Sequence, residues 1–232
     1  MGAVWNIVHP LSLIAIYAVI FGAIMGRDMA EVPGPFGFPI FLCTGFFPWI
    51  AFSDCINRGA YSILGNAQYL KKLPVPEQVF VAQSAVGATI TLVISYAMFI
   101  IIALFLGLRP SVYWLLVPIP MIILQITGFG LGMIVGTLNV FFTDVSQILG
   151  IALQVLFWFT PIVYPTTRVP HLGFILRMSP ATPPIEAIHD LLLWHRLPDP
   201  WIVWAMLGWA VGSLACGMWI LNKLRGEIRD VL

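Results

Sequence analysis

Asp54 and Arg58 stand four residues apart at the end of a long apolar run. On a helix that spacing puts both on one face, within pairing reach. An ionisable residue inside a membrane-length run is a functional candidate; at the run's end it can equally close the helix or lock a subunit contact. Both readings stay open. Glu186 and His189 form a single ExxH, again on one helical face. A carboxylate-bridged metal site needs a second such motif and further glutamates, and the chain has only Glu31, Glu77, Glu186 and Glu227. The expectation is no metal, with the ExxH as the polar side of a short helix. A phosphate-binding loop needs Gly-Lys-Ser/Thr, and neither Lys71, Lys72 nor Lys223 is followed by Ser or Thr. HExxH and G-x-S-x-G are missing too. No catalytic residue is expected, and any ATP chemistry belongs to another chain.

Aromatic residues make up 13% of the sequence. Trp5, Trp49, Trp114 and Trp201 lie near the ends of apolar runs, where Trp forms interfacial belts. Phe157, Trp158 and Phe159 differ, preceding Thr160-Pro161 inside a run. Residue by residue, lipid contact or core packing explains them. The sharper reading joins them with Trp49 and Phe52 as a surface on which pyranose faces stack. Gly128, Gly132 and Gly136 repeat at intervals of four, a small-residue stripe for close helix packing. Cys43, Cys55 and Cys216 show no CxxC spacing and read as small hydrophobes, not a disulfide framework.

The elements that position these residues follow from composition. The chain is 60% hydrophobic and 9% charged, against about 25% charged in soluble domains. Mean hydropathy is +0.96. Net charge is +1, so no attraction to nucleic acid is implied. A spanning helix takes about 20 apolar residues, and windows between charges place six, at about 4–26, 37–58, 78–106, 113–138, 146–163 and 200–222. No basic n-region or A-x-A site marks the first as a cleaved signal. Residues 164–199 carry several prolines and charges; "IEAIHDLLLWHRL" is too short and charged to span, so a re-entrant or interfacial helical pair is expected. Even span number puts both termini on one side. Arg58, Lys71, Lys72, Lys223, Arg225 and Arg229 then oppose Arg27, Arg109, Arg168, Arg177 and Arg196. The counts nearly balance, but all lysines share the terminal side, which is therefore read as cytoplasmic.

Between the second and third spans lies "GNAQYLKKLPVPEQVF", residues 65–80. Asn66 suits an N-cap for about two helical turns over Ala67–Leu73. Pro74 and Pro76 stop that helix, and Glu77 and Gln78 suit the start of the next. A short rigid helix between spans is suited to mechanical contact with a partner; a turn holding positive-inside lysines is the plainer alternative.

Five motifs in order resemble the permease subunit of type-2 ABC exporters for lipid-linked polysaccharides, O-antigen exporters most of all, with teichoic-acid and capsule exporters related. They are Gly2, Trp5 and Pro10; "NAQYLKKLPVPEQVF"; "NVFFTDVSQIL" (139–149); "FWFTPIVYP" (157–165); and "MSPATPPIEAIHDLLL" (178–193). The family commonly has Arg-Asp where this chain has Thr143-Asp144, and an amphipathic cytoplasmic helix ahead of the first span, whereas this sequence opens on "MGAVWNIVHP". The resemblance implies an all-α, bacterial inner-membrane protein with cytoplasmic termini, acting as a homodimer. Two ATPase subunits would bind ATP and Mg, and this chain no cofactor. Residues 62–76, with Asn66, Gln68, Tyr69, Lys71, Lys72, Pro74 and Pro76, would be the coupling segment. Residues 164–199, with Pro161, Tyr164, Pro180, Glu186, His189 and Asp190, would be a periplasmic gate. Polyprenyl-diphosphate-linked glycan would cross between the two copies past weak aromatic contacts, among membrane lipid. Lys71, Lys72, Arg58 and Arg27 are equal candidates to meet the diphosphate. The rivals are a permease for teichoic acid, capsule, a small lipid or a drug; an ATPase-independent channel; and a lipid-linked glycosyltransferase, for which an acidic DxD pair is missing.

Overall fold

A computed structural model describes Val8, residues 12–16, Val19, and residues 36–142, 144–166 and 173–231. The span expected at about 4–26 lies outside these apart from Val8, 12–16 and Val19, which are helical, with Ile14 buried. Gly2, Trp5, Pro10, Arg27, Thr143 and Arg168 also lie outside. The described residues are helical, with no strand among them.

Helix α1, Gly37–Gly65, is the central element. Over residues 37–52 it is apolar around its circumference apart from Thr44, as a helix packed on all sides must be, and 78% of its most apolar window is buried. It packs chiefly against α3, Gln78–Phe105, and α4, Pro118–Phe141. A 3-10 helix, Val112–Leu116, leads into α4. Pro118 and Pro120 fall in the first turn of α4, where a missing N–H costs nothing. Helix α2, Ala67–Lys72, links α1 to α3.

Among the described residues, four helices are long and apolar enough to cross a membrane: Gly37–Gly65, Gln78–Phe105, Val112–Phe141 and Pro200–Ile228. The segment expected as a span over about 146–163 differs. Helix α5, Val145–Trp158, has 14 residues, about 21 Å against a hydrocarbon core of about 30 Å. Its reason for stopping is Pro161, which has no N–H to donate and disfavours helix in the residue before it. The final helix differs in the other direction. Expected at about 200–222 with a short tail, α8 runs Pro200–Val231, 32 residues. Leu221 and Ile228 lie in the apolar core and Leu224 packs against it, so the tail continues as helix. Among the described residues between α5 and α8 are two short helices, α6 at Gly173–Arg177 and α7 at Thr182–Leu192.

Glycines set the interhelical distances. A Cβ on Gly136 would meet the Gly59 carbonyl at 2.5 Å, and one on Gly59 would meet Gly132 Cα at 2.9 Å. Gly128 faces Phe52 and Cys55 on the same α1 surface. The stripe thus brings α4 backbone onto α1 backbone, and Asn139 Nδ2 donates to the Ala60 carbonyl across the contact at 3.0 Å.

Candidate functional site

The end of the bundle carrying α2 is built from four helices. Leu70 is the buried residue of α2. It enters a core with Ile63 of α1, Val81 of α3, Met133 and Val140 of α4, and Leu221 and Ile228 of α8. Around that anchor, Gln68, Tyr69, Lys71, Lys72, Pro74 and Pro76 are exposed, and Asn66 is half-buried. The expected capping role of Asn66 is corrected in detail. Its side chain makes no cap to α2; Nδ2 donates back to the Ser62 carbonyl at 2.8 Å, closing α1, while its own carbonyl accepts from Tyr69 and Leu70. Leu73 is extended, φ −122° and ψ 140°, as a residue before proline must be. Glu77, expected only to favour a helix start, is fully buried, and Arg225 of α8 lies 2.9 Å away. Arg225 also donates to Gln78 Oε1 at 3.0 Å.

Asp54 and Arg58 pair as their spacing implies, with Arg58 Nε 2.8 Å from the carboxylate. The aromatic candidates do not form one open surface. Phe52 is wholly buried between α1 and α4, and Trp49 is nearly so. Trp49 contacts Phe52 and Phe157, with centroids 5.7 and 5.8 Å apart. Trp158 and Phe159 are exposed. A cargo contact at Phe52 would therefore need α1 and α4 to part, whereas Trp158 and Phe159 are reached without rearrangement.

At the opposite end, the α5 terminus is tied to the segment carrying α6 and α7. Thr160 Oγ1 and Ser179 Oγ are 3.3 Å apart, and the Tyr164 hydroxyl donates to the Trp158 carbonyl. Helix α7 is buried along most of its length, against α1, α4 and α8. Pro161, Glu186, His189, Asp190, Trp194 and Arg196 line a cavity of about 320 Å³ beside it. Pro180 is buried nearby. His189 is 1% exposed and stacks on Phe41 at 4.4 Å. Burial pushes its pKa down to about 3, offset in part by a hydrogen bond to the Phe41 backbone. The ring is therefore neutral at physiological pH and serves packing. Burial raises the Glu186 carboxyl, opposed by hydrogen bonding from Thr166 and by Arg177. Burial raises Asp190 as well, opposed by Arg196, whose Nε lies 2.6 Å away. Among the described residues, no group of three His, Cys, Asp or Glu is arranged to hold a metal.

The described end of the bundle thus presents a short exposed helix anchored by Leu70 between apolar helices. The ABC-2 type transporter family profile matches residues 1–193. This chain belongs to the ABC-2 type transporter family. It is 28% identical over 233 residues to the O-antigen export system permease protein RfbA of Klebsiella pneumoniae, covering 100% of this chain and 87% of that protein. It is 25% identical to the protein of that name in Myxococcus xanthus, covering 99% and 87%. It is also 27% identical to the polysialic acid transport protein KpsM of Escherichia coli, covering 73% and 65%.

Several structural residues of this ABC-2 chain escaped sequence reading. Gly130 faces away from α1, and a Cβ there would meet Ser213 backbone of α8 at 2.5 Å. Gly217 answers it, close to the Gly130 carbonyl. Glycines at intervals of four mark one face, and Gly130 lies between them. The Glu77–Arg225 pair had a fainter signal. Leu221, Leu224 and Ile228 repeat at helical spacing in the tail, which extends α8 far enough to carry Arg225 to α3.

Proposed function

We propose that the chain is the membrane subunit of an ATP-driven exporter of polyprenyl-diphosphate-linked polysaccharide, moving O-antigen-like cargo from cytoplasm to periplasm between two copies of itself. One observation carries the energy-coupling part. Helix α2 offers Gln68, Tyr69, Lys71 and Lys72 to a partner while Leu70 fixes it to α1, α3, α4 and α8. A push on α2 is therefore passed to four helices together, since packed cores transmit displacement and do not absorb it. ATP and Mg belong to the partner ATPase, two copies per homodimer, with termini and α2 cytoplasmic in the inner membrane. The names of the relatives favour a polysaccharide. The α6–α7 segment would serve as the periplasmic gate, its Thr160–Ser179 link joining gate movement to α5. Exposed Trp158 and Phe159 would offer weak stacking that releases a passing chain, as conduction requires.

The test is ATP hydrolysis by the reconstituted permease–ATPase complex. Lipid-linked polysaccharide should stimulate hydrolysis several-fold over lipid lacking glycan. A tagged permease that never retains an ATPase would sink the reading, and equal stimulation by a small lipid or drug would transfer it to another cargo.

A further inference from the structure

Between α1 and α3 lies a groove of about 760 Å³; it borders the coupling segment at Ser62 and Asn66, but its Arg58, Gln83, Val86 and Ile90 walls have no part in the coupling and gate readings. It starts near the α2 end with Asn57, Arg58, Tyr61, Asn66 and Gln83 in its lining. It passes Val86 and Ile90, which with Thr89 also line a second, mainly apolar recess continuing to Val93 and Ile94. The end toward α2 is polar, with Tyr61, Asn66 and Gln83, and the lining turns apolar from Val86 to Ile90, with Arg58 beside Gly87 where the two meet. Arg58 is held at that junction by two neighbours. Asp54 holds Nε at 2.8 Å, and Gly87 lacks the side chain that would crowd the guanidinium, its Cβ position being 3.7 Å from Nη1. The Nη edge is thus left over the groove. Asn57 and Asn66 each use one amide N–H on the Ser53 and Ser62 carbonyls, and Arg58, Tyr61 and Gln83 add further donors for an occupant.

A protein helix laid here would have to cover the half-exposed Arg58–Asp54 pair, a desolvation that repays poorly. An anionic headgroup needs no such burial. A guanidinium edge suits phosphate oxygens, which it can meet bidentately. The groove's change from polar to apolar matches the passage from headgroup level into hydrocarbon. We propose that the groove holds a polyprenyl diphosphate, the diphosphate on Arg58 with Tyr61 and Gln83, and the first isoprene units along Val86, Ile90 and Val93. This rests on the export reading and selects Arg58 from four basic candidates.

The experiment uses the purified permease–ATPase complex in detergent, its nucleotide sites filled with ADP and Mg. Binding of farnesyl diphosphate, farnesol and inorganic pyrophosphate is measured for the parent, Arg58→Gln and Gly87→Leu. Farnesyl diphosphate should bind the parent at least tenfold more tightly than either half-molecule. Arg58→Gln should lose about tenfold for farnesyl diphosphate and nothing for farnesol, and Gly87→Leu should weaken both. If Arg58→Gln does not fold, Gly87→Leu decides alone. Unchanged binding in the folded variants overturns the proposal. So does pyrophosphate binding as tightly as farnesyl diphosphate, which would mean a free-phosphate site, or efficient membrane cross-linking of Tyr61→Cys to a protein segment, which would mean a protein occupant. A complex stimulated by lipid-linked glycan but failing these tests keeps the export reading and loses only the groove.

Discussion

At the scale of single residues, burial determines what each group can do. Gly136 and Gly130 are in backbone contact with different helices, so a side chain at either must push two spans apart. Gly136→Leu and Gly130→Val should each cost roughly 1–3 kcal/mol or more, read as lost monodisperse protein in size-exclusion profiles. Gly150→Ala, where nothing lies within 4 Å, should behave as the parent. His189 carries a pH effect whose sign follows from linkage. Its folded pKa of about 3 lies below the ordinary 6.5, so the unfolded chain binds more protons between those values and stability falls as pH drops through that window. Going from pH 7 to pH 5 should remove about 2 kcal/mol through this ring. His189→Gln should flatten that part of the profile in detergent melts; an unchanged slope would show that another group is responsible.

At the scale of elements, α2 and its supports form the unit to test. Lys71→Glu with Lys72→Glu should reverse charge on the exposed face without touching Leu70. The expected outcome is normal permease yield with several-fold less ATPase retained; full retention with normal export would deny α2 its coupling role. Arg225→Met acts from behind, leaving the buried Glu77 carboxylate without its cation. The cost should be roughly 2–4 kcal/mol, below the range for a fully buried pair because Arg225 is partly exposed. Arg225→Gln with Glu77→Gln should recover much of it, measurable as a double-mutant cycle in melting midpoint. The sequence showed the short helix and its proline stop, because both are local. It did not show the shared support, because Gln78 and Arg225 are 147 residues apart.

At the scale of the whole molecule, α5 is the surface on which the proposed second copy is tested. Its fourteen residues fall short of the hydrocarbon core. Only Leu149 and Leu153 of α5 are buried, while Ile148, Ile151 and Val155 are open. In a cysteine-free background, Ile151→Cys should cross-link in membranes to twice the 25.7 kDa chain mass. A cysteine at Phe105, at the end of α3, should do so far less. The sequence by itself determined the solvent, the apolar runs, the proline breaks, the absence of a nucleotide loop and the spacing that pairs Asp54 with Arg58. These depend on composition or on neighbours within a few residues, where hydropathy and backbone sterics act directly. Only the tertiary structure decided that Phe52 is core, that His189 is a buried packing ring, that Gly130 faces α8, and that Arg58 lies over Gly87. Those properties depend on which distant segment supplies the other wall, and helix packing makes that choice.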